Sequence, residues 1–133
     1  MRSVEKSSAD DALKASFELA TPRLEKLLIN LAKYPKERKD YLDFKNELDK
    51  FYKIILFLKS NKHLNDNTLL STADKYILLK QQFTLYEQAD IDLKASRLRQ
   101  LCEVASNNLN FSVPQNIIDE IDHRMYEEDE LPF

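Results

Sequence analysis

The chain has 133 residues, a length that suits one domain with a single hydrophobic core. It is 43% hydrophobic and 32% charged with a net charge of −3, a balance typical of a globular protein whose charge is too small to select a partner. Glycine is absent, which argues against hairpins, bulges and phosphate-binding loops, because all of these favour a residue without a Cβ atom. We therefore predict an all-α protein, a compact bundle of about four to five helices.

The N-terminal third is predicted to hold two helices. Residues 1 to about 8 are small and polar, and we expect them to fray. A first helix is predicted from about Ser8 to Ala20. Thr21 and Pro22 then resemble a cap and first-turn pair, so a second helix is expected to begin there and to end at Tyr34-Pro35.

The clearest helical pattern covers about residues 36 to 60. Its apolar residues follow an unbroken 3-4-3-4-3 spacing: Tyr41, Phe44, Leu48, Phe51, Ile55 and Leu58. This seam is typical of intramolecular core more often than of a dimer zipper, since it spans too few heptads for a confident coiled coil. Further apolar residues widen the face towards the C-terminal end, and we expect neighbouring helices to enclose that end: Leu42, Tyr52, Ile54, Leu56 and Phe57.

The second half of the chain continues the helical pattern. Residues 60–68 are polar and rich in Asn, which predicts a loop, and residues 71–74 resemble a capping box that opens the next helix. Around residues 89–92 the stripe loses its phase, so a kink or break is expected there. The pattern resumes to Asn107-Asn108, the predicted stop, and Pro114 is predicted to begin a last amphipathic helix. Residues 1–126 thus form the predicted helical domain and residues 127–133 an acidic tail.

No catalytic or metal-binding constellation is visible, so we predict a non-enzyme without metal or cofactor. His63 and His123 have no other His or Cys at ligand spacing, and we interpret both as solvated. Cys102 lies on an apolar stripe and is predicted to be a small buried hydrophobe rather than a nucleophile. The single cysteine suits a reducing compartment, and neither a signal peptide nor a membrane span is evident, so we expect a cytoplasmic protein.

The middle of the chain is mildly basic. Residues 33–62 carry nine Lys or Arg against five Asp or Glu. Six of these cations are candidates for following a nucleic-acid backbone, with Tyr41 and Tyr52 interleaved for base stacking: Lys36, Arg38, Lys39, Lys45, Lys50 and Lys53. The alternative is an ordinary solvated face, because nearby acidic residues neutralise much of this charge and the tyrosines fall on or beside the core stripe.

The end of the sequence carries the most specific signal. Its last seven residues are four acidic side chains followed by an aliphatic residue, Pro and Phe: Glu127, Glu128, Asp129, Glu130, Leu131, Pro132 and Phe133. This segment resembles the acidic C-terminal tip of bacterial single-stranded DNA-binding proteins. The rest of the chain departs from that family, which has a Gly-containing β-barrel domain and a flexible linker. The resemblance implies that the aromatic ring and the adjoining carboxylate dock in an apolar pocket with a basic rim.

Two functions follow from these patterns. The first is a helical accessory or adaptor protein of DNA replication, recombination or repair, whose tail binds an enzyme that recognises such tips. The alternative is a phage- or plasmid-encoded inhibitor or regulator that occupies a basic site on a host protein. A protein partner is expected in either case, nucleic acid is a further candidate partner, no membrane is expected, and the oligomeric state is left open.

Overall fold

The computed structural model describes the backbone of residues 2–60 and 64–126, with side chains from residue 9 onward. All regular structure in these ranges is helical, which confirms the predicted all-α class. Six helices follow in chain order: α1 (Arg2–Lys33), α2 (Arg38–Ser60), α3 (Asn67–Gln88), α4 (Ile91–Leu109), α5 (Gln115–Asp119) and α6 (Ile121–Tyr126).

The predicted break at Thr21-Pro22 is wrong, because α1 runs through Pro22 as one helix. The helix also begins at Arg2, ahead of the start expected at Ser8. Pro22 is exposed and has no N–H, so it removes one hydrogen bond of the helical ladder on the solvent side. On the opposite side an unbroken stripe is buried, and its burial favours a continuous helix over a break: Leu13, Phe17, Ala20, Leu24, Leu28 and Leu31.

The seam predicted for α2 is confirmed. Phe44, Leu48, Phe51 and Ile55 are buried, while Tyr41 and Leu58 pack partly buried against the same core. The expectation that neighbouring helices enclose the C-terminal end of this helix is wrong. Ile54, Leu56 and Phe57 are 37%, 40% and 64% exposed, because the helices that pack on α2 cover only its seam side.

Helix α3 begins four residues before the predicted capping box. Asp66 is the N-cap, and its carboxylate accepts hydrogen bonds from the backbone N–H of Thr68 (2.8 Å) and Leu69 (3.3 Å). The predicted break near residues 89–92 is confirmed, since α3 ends at Gln88 and α4 begins at Ile91.

Helix α4 ends at Leu109, and Asn110 supplies the left-handed cap expected from Asn107 or Asn108. Asn110 has φ 60° and ψ 30°, and the N–H of Phe111 donates to the carbonyl of Ala105 at 3.2 Å. The predicted last helix consists of two pieces. Glu120, at φ −98° and ψ 7°, separates α5 from α6 because its backbone lies in the bridge region.

Sequence neighbours pack together: α1 lies against α2, and α3 lies against α4, while α5 and α6 lie against α1 and α4. One hydrophobic core joins all six helices. Aromatic rings occupy its centre, where Tyr76 stacks on Phe17 with the ring centroids 5.5 Å apart and meets Phe51 edge-on at 4.8 Å. The Tyr76 hydroxyl shares a 2.5 Å hydrogen bond with Thr21.

Candidate functional site

The predicted docking tail, residues 127–133, lies outside the described residues. The last described residue is Tyr126. The Tyr126 hydroxyl donates a 2.6 Å hydrogen bond to the carbonyl of Ile91 and accepts one of 3.1 Å from the N–H of Ala95. Met125 and Ile121 are buried on the inner side of α6. Tyr126 therefore lies beside the first turn of α4.

Several cations of the basic middle are neutralised by acidic neighbours. Lys39 pairs with Asp43 at 2.8 Å, and this hydrogen-bonded ion pair raises the pKa of Lys39. Lys45 lies 3.3 Å from Asp49 and 3.4 Å from Glu87. The Glu87 carboxylate is the main cause of a raised pKa for Lys45, with Asp49 adding to it. These two lysines are therefore poorly placed to offer unbalanced charge to a nucleic-acid backbone.

The Asp49 carboxylate is held by two lysines of different helices. Lys80 on α3 lies 2.7 Å from it, closer than Lys45. Burial alone raises the pKa of Asp49, but the hydrogen bonds and charges of Lys80 and Lys45 outweigh burial, so the pKa is lowered. Because both lysines point at this carboxylate, the contact links α2 to α3 instead of forming part of a binding surface.

The two interleaved tyrosines are engaged in the fold. The Tyr41 hydroxyl donates a 2.5 Å hydrogen bond to Glu87, and its ring stacks on Phe83 at 5.9 Å between centroids. Burial, together with the neighbouring Glu87 carboxylate, raises the pKa of Tyr41. Tyr52 is half-buried, with the Lys80 ammonium 6.0 Å from its ring centroid. Neither ring is an open platform for stacking a base.

Lys36 and Arg38 lie at a different place from Lys50 and Lys53. They line a cleft of about 250 Å³ at the turn between α1 and α2, together with Lys94 of α4. Lys94 donates hydrogen bonds of 2.9 Å to the carbonyls of both Tyr86 and Glu87 and so satisfies the C-terminal end of α3. The structure thus distributes the six candidate cations over separate sites and does not gather them into one stripe.

A groove on the outer side of the α1–α2 pair was not anticipated from the sequence. We call it the outer groove; its volume is about 270 Å³, and its apolar lining includes Leu19 and Ala20 of α1 with Phe51 and Ile54 of α2. Leu19 is 71% exposed. Phe57 follows Ile54 by three residues, so it lies on the same face of α2 one turn further along and extends the apolar surface.

The rim of the outer groove is cationic. Glu47 lies between two cations, 3.8 Å from Arg23 and 3.7 Å from Lys50, and its side chain is only 13% exposed. The Glu47 carboxylate therefore balances only one of the two positive charges of Arg23 and Lys50. Lys53, next to Ile54, is exposed and forms no ion pair with any other residue that the structure describes. The charged residues that line the outer groove, Arg23, Lys50 and Glu47, thus leave one net positive charge beside its apolar floor.

The reactive side chains that the structure describes are few. Cys102 is fully buried, and burial raises the pKa of its thiol to about 12, so the thiolate needed for nucleophilic attack is disfavoured. His123 is exposed on α6, as expected, and His63 lies outside the described residues. Within residues 9–60 and 64–126, no cluster of three or more His, Cys, Asp or Glu side chains could hold a metal ion.

None of the described helices is long and apolar enough to cross a membrane. Comparisons of the chain with protein-family models, with curated proteins and with solved structures each found no match.

Sequence reasoning missed the outer groove because it assigned every apolar residue near the end of α2 to the core. One signal could have revealed it. Leu19 lies off the stripe formed by Leu13, Phe17 and Ala20, and in a helix of about 3.6 residues per turn such a residue faces away from the core.

Proposed function

We propose that this chain is a compact helical bundle with an acidic C-terminal tail, and that it serves as a non-enzymatic, cytoplasmic accessory or adaptor protein of DNA replication, recombination or repair. Its tail binds an enzyme that recognises acidic tips ending in Pro-Phe. One observation carries the proposal: four acidic residues, Glu127 to Glu130, directly precede Leu131, Pro132 and Phe133.

The chemistry of this segment supports docking in a basic, apolar pocket. The ring of Phe133 fills a cavity, while Pro132 limits the conformational entropy lost on binding. The acidic run steers the tail towards a cationic rim, which makes association fast and sensitive to salt. The position of Tyr126 is compatible with this role, because this last described residue is only half-buried, beside the first turn of α4.

The test measures binding to a repair enzyme that recognises such tips, by fluorescence anisotropy of the labelled chain. We expect deletion of Leu131 to Phe133 to weaken binding at least ~30-fold, because a buried aromatic anchor contributes about 2 kcal/mol or more. The matched control exchanges the two acidic residues before it, Asp129→Glu with Glu130→Asp. This control keeps the charge and should bind like the intact chain.

Two outcomes contradict the proposal. Undiminished binding after the deletion removes the role of Pro132 and Phe133. Equal losses from the deletion and from the control exchange would point to a detailed acidic motif in place of an aromatic anchor.

Nucleic-acid binding by the basic middle remains a proposal of its own. Lys39 and Lys45 lie 2.8 and 3.3 Å from carboxylates, whereas Lys50 lies 3.7 Å from a Glu47 carboxylate that it shares with Arg23, and Lys53 is exposed; Lys50 and Lys53 are therefore the better candidates on α2. Lys50→Glu with Lys53→Glu should weaken binding to a single-stranded oligonucleotide and reduce its salt dependence. Absence of any oligonucleotide binding by the intact chain at low salt rejects this part.

A further inference from the structure

We propose that two copies of this chain associate through the outer groove and the exposed side of α1 beside it, with the two α1 helices antiparallel. In this contact the Leu19 side chains of both copies lie at the centre, and Lys26 of each copy pairs with the second copy's Asp11. The inference goes beyond the proposed function, because it assigns a binding surface and its occupant to the helical body.

The exposed side of α1 around Leu19 is nearly free of charge. Leu19 itself is 71% exposed. Successive residues of a helix are rotated by about 100°, which places the acidic Glu18 outside an arc of about 60° on either side of Leu19. The arc holds small or apolar residues and, at its C-terminal end, two cations: Ala12, Ala15, Ser16, Pro22, Arg23 and Lys26. A solvated helix carries charges on this side, so an uncharged exposed stretch favours a contact surface.

Helix α2 extends this apolar surface. Ile54 lines the outer groove with Leu19, and Phe57, one turn further along α2, is 64% exposed. The turn of residues 34–37 makes the two helices antiparallel, in agreement with the contact of Arg23 and Glu47 at 3.8 Å. Phe57 therefore lies towards the N-terminal end of α1. Two adjacent helices thus offer one apolar surface on which a second pair of helices can pack.

Two opposite charges lie at the two ends of the exposed side of α1. Asp11 and Lys26 are both exposed, and neither forms an ion pair with any other residue that the structure describes. They are separated by about 22 Å at the helical rise of 1.5 Å per residue, so they cannot pair within one copy. An antiparallel contact places each Lys26 opposite the second copy's Asp11, so two ion pairs form together.

This pairing determines the alignment of the two helices. With Lys26 level with the second copy's Asp11, the two-fold axis passes midway between residues 18 and 19, and the two Leu19 side chains meet there. Asp11 and Lys26 are rotated from Leu19 in the same direction, by about 80° and about 20°, so the axis brings them to the same side of the contact. A parallel contact would place Lys26 against Lys26 and is therefore disfavoured.

The side chains beside the centre allow the helices to approach closely. Ala15 is level with the second copy's Pro22, so neither a long nor a charged side chain separates the two helices here. Phe57 lies towards the N-terminal end of its own α1 and therefore faces the C-terminal half of the second copy's α1. The cation of Arg23 in that half is available to the exposed ring.

The size of the contact predicts a weak dimer. It is about 22 Å long, from Asp11 to Lys26, and roughly 20 Å wide for two helices of about 10 Å each, or about 450 Å² of each copy in projection. Stable interfaces bury roughly 1,200–2,000 Å² over both partners, and smaller ones are transient. We therefore expect a dissociation constant of about 10–500 μM.

The experiment is sedimentation velocity of the full chain between about 5 μM and 1 mM, a range that includes the expected dissociation constant. We expect the sedimentation coefficient to rise with concentration from the monomer value to the dimer value. Leu19→Asp places two carboxylates at the centre and should leave the protein monomeric, with unaltered helical circular dichroism because Leu19 is exposed. The matched control is Leu93→Asp, at a 50% exposed leucine on α4, which should dimerise like the intact chain.

A charge exchange tests the pairing. Lys26→Asp alone, or Asp11→Lys alone, replaces two attractions by two repulsions and should weaken dimerisation roughly tenfold at low salt. The double variant restores opposite charges across the contact and keeps the net charge of the chain, so it should dimerise like the intact protein. The two positions are about 22 Å apart within one copy, so this restoration has no intramolecular explanation.

Dimerisation that is lost with Leu19→Asp, kept with Leu93→Asp and restored in the double variant supports the inference. A monomer at every concentration overturns it and leaves this surface to a partner other than the chain itself. A dimer that is insensitive to Leu19→Asp, or single variants that the double variant does not rescue, also overturn it. The enzyme-binding test changes only residues 131–133 and is measured against an external partner, so either proposal can fail without the other.

Discussion

Replacing Pro22 by Ala should stabilise the protein, because α1 is continuous at this position. A proline inside a helix is roughly 3 kcal/mol less favourable than alanine, since it lacks the N–H and clashes with the preceding turn. Part of this gain is lost because alanine leaves the unfolded chain about 0.4–1 kcal/mol more conformational freedom. Pro22 is exposed, so little packing is removed, and the net gain expected is about 2 kcal/mol.

The assay is urea unfolding followed by circular dichroism, together with calorimetry. An unfolding entropy of about 2.1 cal/mol/K per residue gives about 0.28 kcal/mol/K for 133 residues, so Tm should rise by roughly 7 °C. The control is Pro35→Ala, in the turn between α1 and α2, where proline suits the backbone and its loss should cost about 0.4–1 kcal/mol. If Pro22→Ala is neutral or destabilising, proline is at a helix start and the continuous α1 is refuted.

Three further predictions concern stability and reactivity. Burial raises the pKa of Tyr86 to about 12, against about 10 in the unfolded chain. The native state therefore keeps the phenol proton to a higher pH, and the free energy of unfolding should fall by up to about 3 kcal/mol between pH 10 and 12. Tyr86→Phe should make this fall smaller, as measured by urea unfolding at alkaline pH. Asp66→Ala should cost about 1 kcal/mol by removing the N-cap of α3, whereas Asp66→Asn should cost much less, both measured by urea unfolding. Cys102 should react with an aromatic disulfide reagent only as fast as the chain opens, and rapid labelling under native conditions would contradict its burial.

Helical periodicity predicted most of the core. The stripe of α2 and the buried residues Leu98 and Leu101 of α4 follow directly from spacing, because burial on one side of a helix has a strict period. Capping chemistry was a weaker guide. Thr21-Pro22 has the composition of a helix start, yet burial of a continuous stripe on both sides of it outweighed the local preference.

The surfaces were harder to predict than the core. An apolar residue at the edge of a stripe, such as Phe57, is buried or exposed according to where the neighbouring helices pack, and no local pattern determines this. Which basic residues form ion pairs also depends on where the neighbouring helices pack. Lys45 meets Glu87 of α3, a residue 42 positions away along the chain, so its neutralisation depends on tertiary packing. The tail signal, by contrast, is purely local in sequence and stays a prediction.

The order of the helices has a consequence for how the molecule assembles. Within each of the pairs α1–α2 and α3–α4, the partners are consecutive in the chain, so each pair can form early as a helical hairpin with a small loss of loop entropy. Helices α5 and α6 must instead return to α1 from the opposite end of the sequence. The hydrogen bonds of the Tyr126 phenol join α6 to α4, which is only 31 to 35 residues away along the chain, so the surface around Tyr126 can form before contacts with α1 complete the core.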